Sequence, residues 1–171
     1  APMWRGETDE RHLTPQSVKN IYTELSNVLF GKRLRMTAGY LHDQSYRNGI
    51  GIWHSGIDMQ ASAGTNVKTV ENGKVTWTWS SASAGSFIAV KDSAGREWVY
   101  GHLQDHQGFK VGQSINAGQV IGRIGNQSGA HHLHMEVRTS RIYGNKTVKS
   151  DIAGYTMSPL QAFWDLQNES R

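Results

Sequence analysis

Three histidines crowd into the stretch GAHHLHMEV, residues 129–137, and a glutamate follows two residues after the last of them. On a strand, side chains two apart project to one face. His132 and His134 then stand side by side, with His131 and Leu133 on the opposite face. A second pair lies upstream in WHSGIDMQ, residues 53–60, where Ser-Gly-Ile separates His54 from Asp58. Gly56 permits a bend, so both side chains can turn toward one point. Imidazole and carboxylate are both good zinc ligands, and three protein ligands with an open fourth position make a catalytic zinc site. His54, Asp58 and one histidine of the His-x-His pair supply three. A third element is VYGHLQD, residues 99–105, whose His102 is available as a proton carrier or oxyanion stabiliser. Any one of these histidines is more often structural or exposed than functional. Their combination in three separate segments is what points to metal-assisted chemistry.

The remaining candidates are weighed in the same way. Glu136 is in phase with His132 and His134, and could orient a ligand imidazole or make a structural hydrogen bond. His131 falls on the other face and is not expected to bind metal. His12, His42 and His106 sit in polar stretches and read as solvated. Trp77 and Trp79 share a strand face, where a peptide groove is possible but packing is the commoner reason.

These residues need elements to position them. Thr14 can cap a helix, Pro15 suits its first position and Gly31 stands just past its end. Within it Val18, Ile21, Leu25, Val28 and Leu29 recur at the helical period. Ser158 and Pro159 open a second helix, with Leu160, Phe163, Trp164 and Leu166 on a common side. Between the helices the pattern changes to strands. GKVTWTWS (73–80), SFIAVKD (86–92) and EWVYGHL (97–103) are rich in β-branched and aromatic residues, and DSAG (92–95) reads as a hairpin turn. QVIGRIG (119–125) and HLHMEVR (132–138) continue the series. The expected fold is mainly β: an antiparallel core over about residues 40–140, an arm and helix before it (1–39), and a C-terminal extension whose helix packs on the core (141–171).

Composition narrows the function classes. The 171 residues are 37% hydrophobic and 19% charged, as in a folded globular protein, with 19 glycines and 3 prolines. Cysteine is absent, so disulfides and thiolate metal sites are excluded, and any transition metal must be held by His, Asp and Glu. A formal net charge of +4 suits anionic surroundings, but no run of five or six basic residues marks a nucleic-acid site. No apolar run is long enough to span a membrane. The chain begins APMW and is read as a processed form or an excised piece of something longer.

Taken in order, His-x-x-x-Asp, an isolated histidine in a Tyr-x-His-Leu context, and His-Leu-His followed by an apolar residue and Glu resemble the signature of the lysostaphin-type zinc endopeptidases. The segments HSGIDMQASAGTNVKTVENGKVT and VGQSINAGQVIGRIGNQSG are also similar to that family's passages, so the resemblance covers roughly residues 50–138. It implies an enzyme that cleaves peptides in the bacterial cell wall. By position it makes His54, Asp58 and His134 the ligands of one zinc per chain, and His102 and His132 the catalytic pair. Tyr46 falls where the family often places a tyrosine near the oxyanion. One departure stands out: His131 occupies the place of a small residue or proline before His-Leu-His. The expected partner is a peptidoglycan peptide, the expected location the cell envelope or outside the cell, and the expected state a monomer.

Rival classes fit less well. A cupin places its glutamate several residues after His-x-His and adds a further histidine, whereas Glu136 follows after one residue and no histidine lies beyond His134. A His-metal nuclease needs a metal histidine on the helix after its hairpin, and the C-terminal helix has none. The remaining alternative is a non-enzymatic wall-binding or activator module on the same fold. Such modules lose zinc ligands, and this sequence retains all of them.

Overall fold

The computed structural model describes residues 15–41, 53–105, 107–126, 131–139 and 148–169. His12, Thr14, His42, Tyr46 and His106 lie outside them. The first element is helix α1 (Pro15–Phe30). It stops at Gly31, whose φ of +74° is left-handed and whose N–H still reaches the Asn27 carbonyl at 2.8 Å. The buried stripe is Val18, Ile21, Tyr22, Leu25 and Leu29. Val28, expected on that stripe, is 37% exposed. Tyr22 lies on the stripe instead, its hydroxyl donating to the Leu34 carbonyl at 2.5 Å.

The main sheet is antiparallel throughout. Its strands are β1 (Met36–Ala38), β2 (Gly56–Gln60), β4 (Gly73–Ser81), β5 (Gly85–Lys91), β6 (Glu97–Leu103), β7 (Ser114–Ile115), β9 (His132–Arg138) and β10 (Thr156–Met157). Along it the order is β1-β2-β9-β6-β5-β4-β7, with β10 paired to β9. QVIGRIG forms a strand as expected, β8 (Val120–Arg123), which pairs with β3 (Asn66–Lys68) in a separate two-stranded sheet. The long strands fall on the runs that their β-branched and aromatic residues marked. β2 has no alternation to read, because GIDMQ is buried on both faces except at Gln60.

One face of the sheet carries Ile57, Met59, Ile88, Val90, Trp98, Tyr100, Leu133, Met135 and Val137, all buried in one apolar cluster. The buried stripe of α1 joins that cluster, as do Leu160, Ala162 and Phe163 of α3 (Pro159–Glu169). Ser158 caps α3, its hydroxyl oxygen accepting from Leu160 N at 3.2 Å. Trp164, expected on the apolar side, is 41% exposed. A short helix, α2 (Lys149–Tyr155), precedes β10 and carries no apolar repeat long enough to announce it. The turn at DSAG forms as expected: Asp92 Oδ1 accepts from Ala94 N and Arg96 N, both at 3.0 Å. Arg96 then bridges to α3, with both guanidinium ends on the Glu169 carboxylate at 2.7 and 2.6 Å.

One buried carboxyl opposes the rest. Glu71 is 1% exposed; its Oε2 accepts from the Tyr100 hydroxyl at 2.7 Å, and its Oε1 has no hydrogen-bond partner among the described residues. Burial pushes its pKa well above the usual carboxylate range, outweighing the Tyr100 hydrogen bond. The fold therefore favours the neutral acid. Stability from that preference is present below a pH of about 4.5 and is lost as pH rises through the folded pKa. Glu71→Gln should flatten this slope. Thermal melts from pH 5 to 8 should show the parent losing stability relative to the variant as pH rises, each kcal/mol appearing as roughly 2–4 °C. A parent–variant difference that stays constant across this range, or that shifts in the parent's favour as pH rises, would show that the folded protein holds Glu71 ionised.

Candidate active site

The second face of the sheet carries the polar cluster. β2 and β9 pair with Asp58 opposite His134 and Gln60 opposite His132, while β6 sets Gly101 opposite His134 from the other side. Alternation along β9 turns His132, His134, Glu136 and Arg138 to this face, and Leu133, Met135 and Val137 to the core. His54 precedes β2 and is brought beside Asp58 across the bend at Ser55. The sequence suggested that Gly56 provides a bend. The bend falls at Ser55, and Gly56 is needed for another reason: a Cβ there would lie 2.0 Å from the Met135 carbonyl oxygen. Only glycine lets β2 approach β9 this closely.

Three donor atoms converge. His54 Nε2 lies 3.2 Å from His134 Nδ1 and 3.2 Å from Asp58 Oδ1, and His134 Nδ1 lies 3.0 Å from that same oxygen. The far side of each ring is fixed. His54 Nδ1–H donates to the Gly39 carbonyl at 3.0 Å, which leaves the lone pair on Nε2 facing the cluster. His134 Nε2–H donates to Glu136 Oε1 at 3.1 Å, so Nδ1 is the atom that can offer a lone pair. Glu136 Oε1 also accepts from Ser55 Oγ at 2.5 Å, and its Oε2 accepts from Arg138. Glu136 thus serves both readings left open by the sequence, orienting an imidazole and tying β9 to the Ser55 bend.

Burial alone would raise the Asp58 pKa, but His54 and His134 outweigh it and hold the carboxyl well below its usual range. Burial would lower His134, but its hydrogen bonds to Asp58 and Glu136 outweigh that and lift it to about 9. Burial likewise would raise Glu136, yet His134 and Arg138 bring it down to about 2. Two carboxylates, Asp58 and Glu136, therefore flank the His134 ring. His54, Asp58 and His134 offer one ligand atom each, all within 4.8 Å of one another. Atoms sharing a tetrahedral zinc at about 2.0–2.2 Å lie roughly 3.3–3.6 Å apart, so the donor set fits that ion after an adjustment of a few tenths of an ångström.

His132 and His102 border this triad. His132 Nε2 is 3.6 Å from Asp58 Oδ2, and the His102 ring is centred 4.8 Å from that of His132 and 5.9 Å from that of His134. Strict alternation along β6 would send His102 to the core with Trp98 and Tyr100. A register shift between Ser86 and Ile88 of β5 sets Gly101 and His102 against Phe87, and His102 takes φ +64°. A left-handed conformation in a non-glycine residue costs about 1–3 kcal/mol. The bond from His102 Nδ1–H to the Ala84 carbonyl, at 2.7 Å, offsets part of this and leaves Nε2 as the basic atom. Burial lowers the pKa of both rings, that of His132 to about 4, so both are neutral at pH 7.

An aromatic wall adjoins the histidines. Phe87 lies edge-on to His102 with centroids 5.2 Å apart, and Trp79, 52% exposed, stands 5.4 Å beyond it. Gly101 makes room for this, since a Cβ there would lie 2.4 Å from the Phe87 ring. Trp77 is partly covered, donating to Glu97 at 3.0 Å beneath the Arg138 guanidinium. Sequence reasoning missed Phe87, Ser55 and the carbonyls of Gly39 and Ala84. The glycine inside EWVYGHL was a usable sign of close approach; backbone acceptors carry no signature in side-chain pattern.

Comparison with known proteins bears on the same residues. Over 115 residues the chain is 35% identical to lysostaphin of Staphylococcus simulans, a match covering 61% of this chain and 23% of that protein. It is 33% identical over 112 residues to the glycyl-glycine endopeptidase ALE-1 of Staphylococcus capitis, covering 60% of this chain and 30% of that protein. The chain thus spans about a quarter of the length of these relatives. Among solved structures, the catalytic domain of the antimicrobial peptidase lysostaphin superposes with a TM-score of 0.58 at 27% identity, covering 77% of this chain and 92% of that one. The catalytic domain of a prophage-encoded M23 protein, EnpA from Enterococcus faecalis, gives 0.57 at 26%, covering 76% and 92%. Residues 53–149, which include every histidine and carboxylate of the cluster, match the model of peptidase family M23, and the chain belongs to that family.

Proposed function

We propose that this chain is a zinc-dependent endopeptidase that hydrolyses peptide bonds in bacterial peptidoglycan. The observation that carries the reading is the convergence of His54 Nε2, Asp58 Oδ1 and His134 Nδ1 at 3.0–3.2 Å, beside two neutral histidines on an open sheet face. Those three residues hold the ion. Zinc bound there supplies Lewis acidity, to water and to the scissile carbonyl.

The remaining work belongs to the chain's own side chains. His102 presents a basic Nε2, because its other nitrogen is committed to Ala84. His132 presents its Nε2 toward the same space, beside Asp58 Oδ2. One of the pair accepts a proton from water, and the other donates to the oxyanion or to the leaving amine. Glu136 fixes the His134 ring, and the Gly39 carbonyl fixes that of His54, so the ligand geometry is set before substrate arrives. The site of action follows from the substrate: the cell wall, reached by secretion or as part of a larger lytic protein. No helix among the described residues is long and apolar enough to cross a membrane.

Retention of the full donor set favours an enzyme over a wall-binding module. The direct test is digestion of purified peptidoglycan from several bacteria, with the released fragments identified by mass spectrometry. The purified chain should contain one zinc, and a chelator should abolish an activity that added zinc restores. His134→Ala should lose the metal, while His132→Ala should keep it and lose turnover. Reversed metal contents in these two variants would exchange their roles.

His102 gives a separate test. His102→Ala should retain zinc and stay folded, melting below the parent by about the 1 kcal/mol of one hydrogen bond, since alanine keeps the left-handed strain and loses only the bond to Ala84. Turnover should fall roughly 10²-fold or more, the usual scale for losing an acid–base or oxyanion group. Near-normal turnover on a defined peptide would leave proton transfer to His132 alone.

A further inference from the structure

A cleft of about 310 Å³ opens beside the histidine face, lined by Lys32, Arg35, Gln60, Ser62, Thr65 and His131 among others. Its position is set by the sheet. Gln60 follows Asp58 by two residues on the same face of β2 and stands opposite His132 in the register. Two residues of strand are about 7 Å, so the cleft begins roughly that far from the triad.

Its chemistry is cationic. Lys32 and Arg35 are exposed, and the described lining residues include no carboxylate. The backbone that presents them is firmly held. Ser26 Oγ donates to the Lys32 carbonyl at 2.7 Å and accepts from Leu34 N at 2.8 Å. Tyr22 holds the Leu34 carbonyl, and Gln60 N donates to the Arg35 carbonyl at 2.9 Å. The intervening Arg33 is directed elsewhere, onto Thr23 and the Tyr22 ring. Two of three basic residues in the run Lys32–Arg35 therefore line a polar cleft, alongside the amide of Gln60, the hydroxyls of Ser62 and Thr65 and the ring of His131. A guanidinium fork with neighbouring hydroxyl and amide donors is the usual partner of a carboxylate.

We infer that this cleft binds a free carboxylate of the substrate peptide, two or three residues from the scissile bond. The spacing follows from the 7 Å offset and the rise of about 3.3 Å per residue in an extended peptide. The inference rests on the endopeptidase reading above. It assigns substrate selection to Lys32 and Arg35, which precede the residues matched to the family model. A peptide lacking that carboxylate enters the site without this anchor.

The test uses the zinc-loaded full chain and the peptide whose cleavage is identified on peptidoglycan. That peptide is synthesised with a carboxylate two or three residues from the cut, and again with the carboxylate amidated. The acid should show a KM about threefold to tenfold below the amide, a ratio that shrinks as salt is raised, as for a partly exposed ion pair. Arg35→Glu should bring the ratio to one or invert it, and Lys32→Gln should reduce it. Arg33→Glu, outside the cleft, should leave it as in the parent. Equal KM values for the two peptides in the parent would overturn the cleft assignment and leave the peptidase reading intact. So would an unchanged ratio in a folded Arg35→Glu protein. Failure to cleave any peptidoglycan would sink both.

Discussion

The register between β2 and β9 is the constraint on which the site depends. Asp58 lies opposite His134, and side chains alternate faces along both strands. A slip of one residue would turn His132, His134 and Glu136 into the core and bring Leu133 and Met135 out to water. The burial of Leu133, Met135, Val137, Ile57 and Met59 makes such a slip costly, at about 1.5–3 kcal/mol for each large side chain exposed. Gly56 reinforces the register sterically, because the Met135 carbonyl leaves no room for a Cβ at that place. The apolar face of the sheet thus positions the polar face, without any of its residues touching the chemistry.

Within that frame the ligand rings are aimed by what their far nitrogens touch. His54 is anchored by the Gly39 carbonyl, and Leu41 N in turn donates to the His54 carbonyl at 2.8 Å, so the segment after β1 grips this residue from two sides. His134 is anchored by Glu136, itself held by Ser55 and Arg138. His102 is anchored by Ala84, from the turn between β4 and β5. His54, His134 and His102 are thus each held through the far nitrogen by a separate acceptor. Small rearrangements at the edges of the sheet would be felt at the centre.

The segment before the family-matched residues contributes more than a solvated arm. α1 seals the sheet's apolar face, Gly39 orients His54, and Lys32 and Arg35 place two exposed cations beside the histidine face. Residues 31–41 therefore link the core to the cleft and to the His54 ring.

The local signals in the sequence were sufficient for much of this. Runs rich in β-branched and aromatic residues placed the long strands β4, β5 and β6, HLHMEVR continued the series as β9, Pro15 and Gly31 bounded α1, and Ser158 with Pro159 opened α3. The spacing His-x-His on a strand was enough to put His132 and His134 on one face, since that follows from a period of two alone. What only the tertiary structure decided is equally specific. Val28 and Trp164 fit an apolar period yet face water, because the partner surface is narrower than the stripe the sequence offers. β2 was hidden because burial on both faces erases alternation. His102 reaches the site only through a bulge against Phe87 and a left-handed backbone, where its own parity points into the core. The cleft of Lys32 and Arg35 joins residues far apart in sequence from β2 and His131. A strand's period is a property of the local chain, whereas a bulge, a helix's covered width and a cleft between distant segments are set by what packs against them.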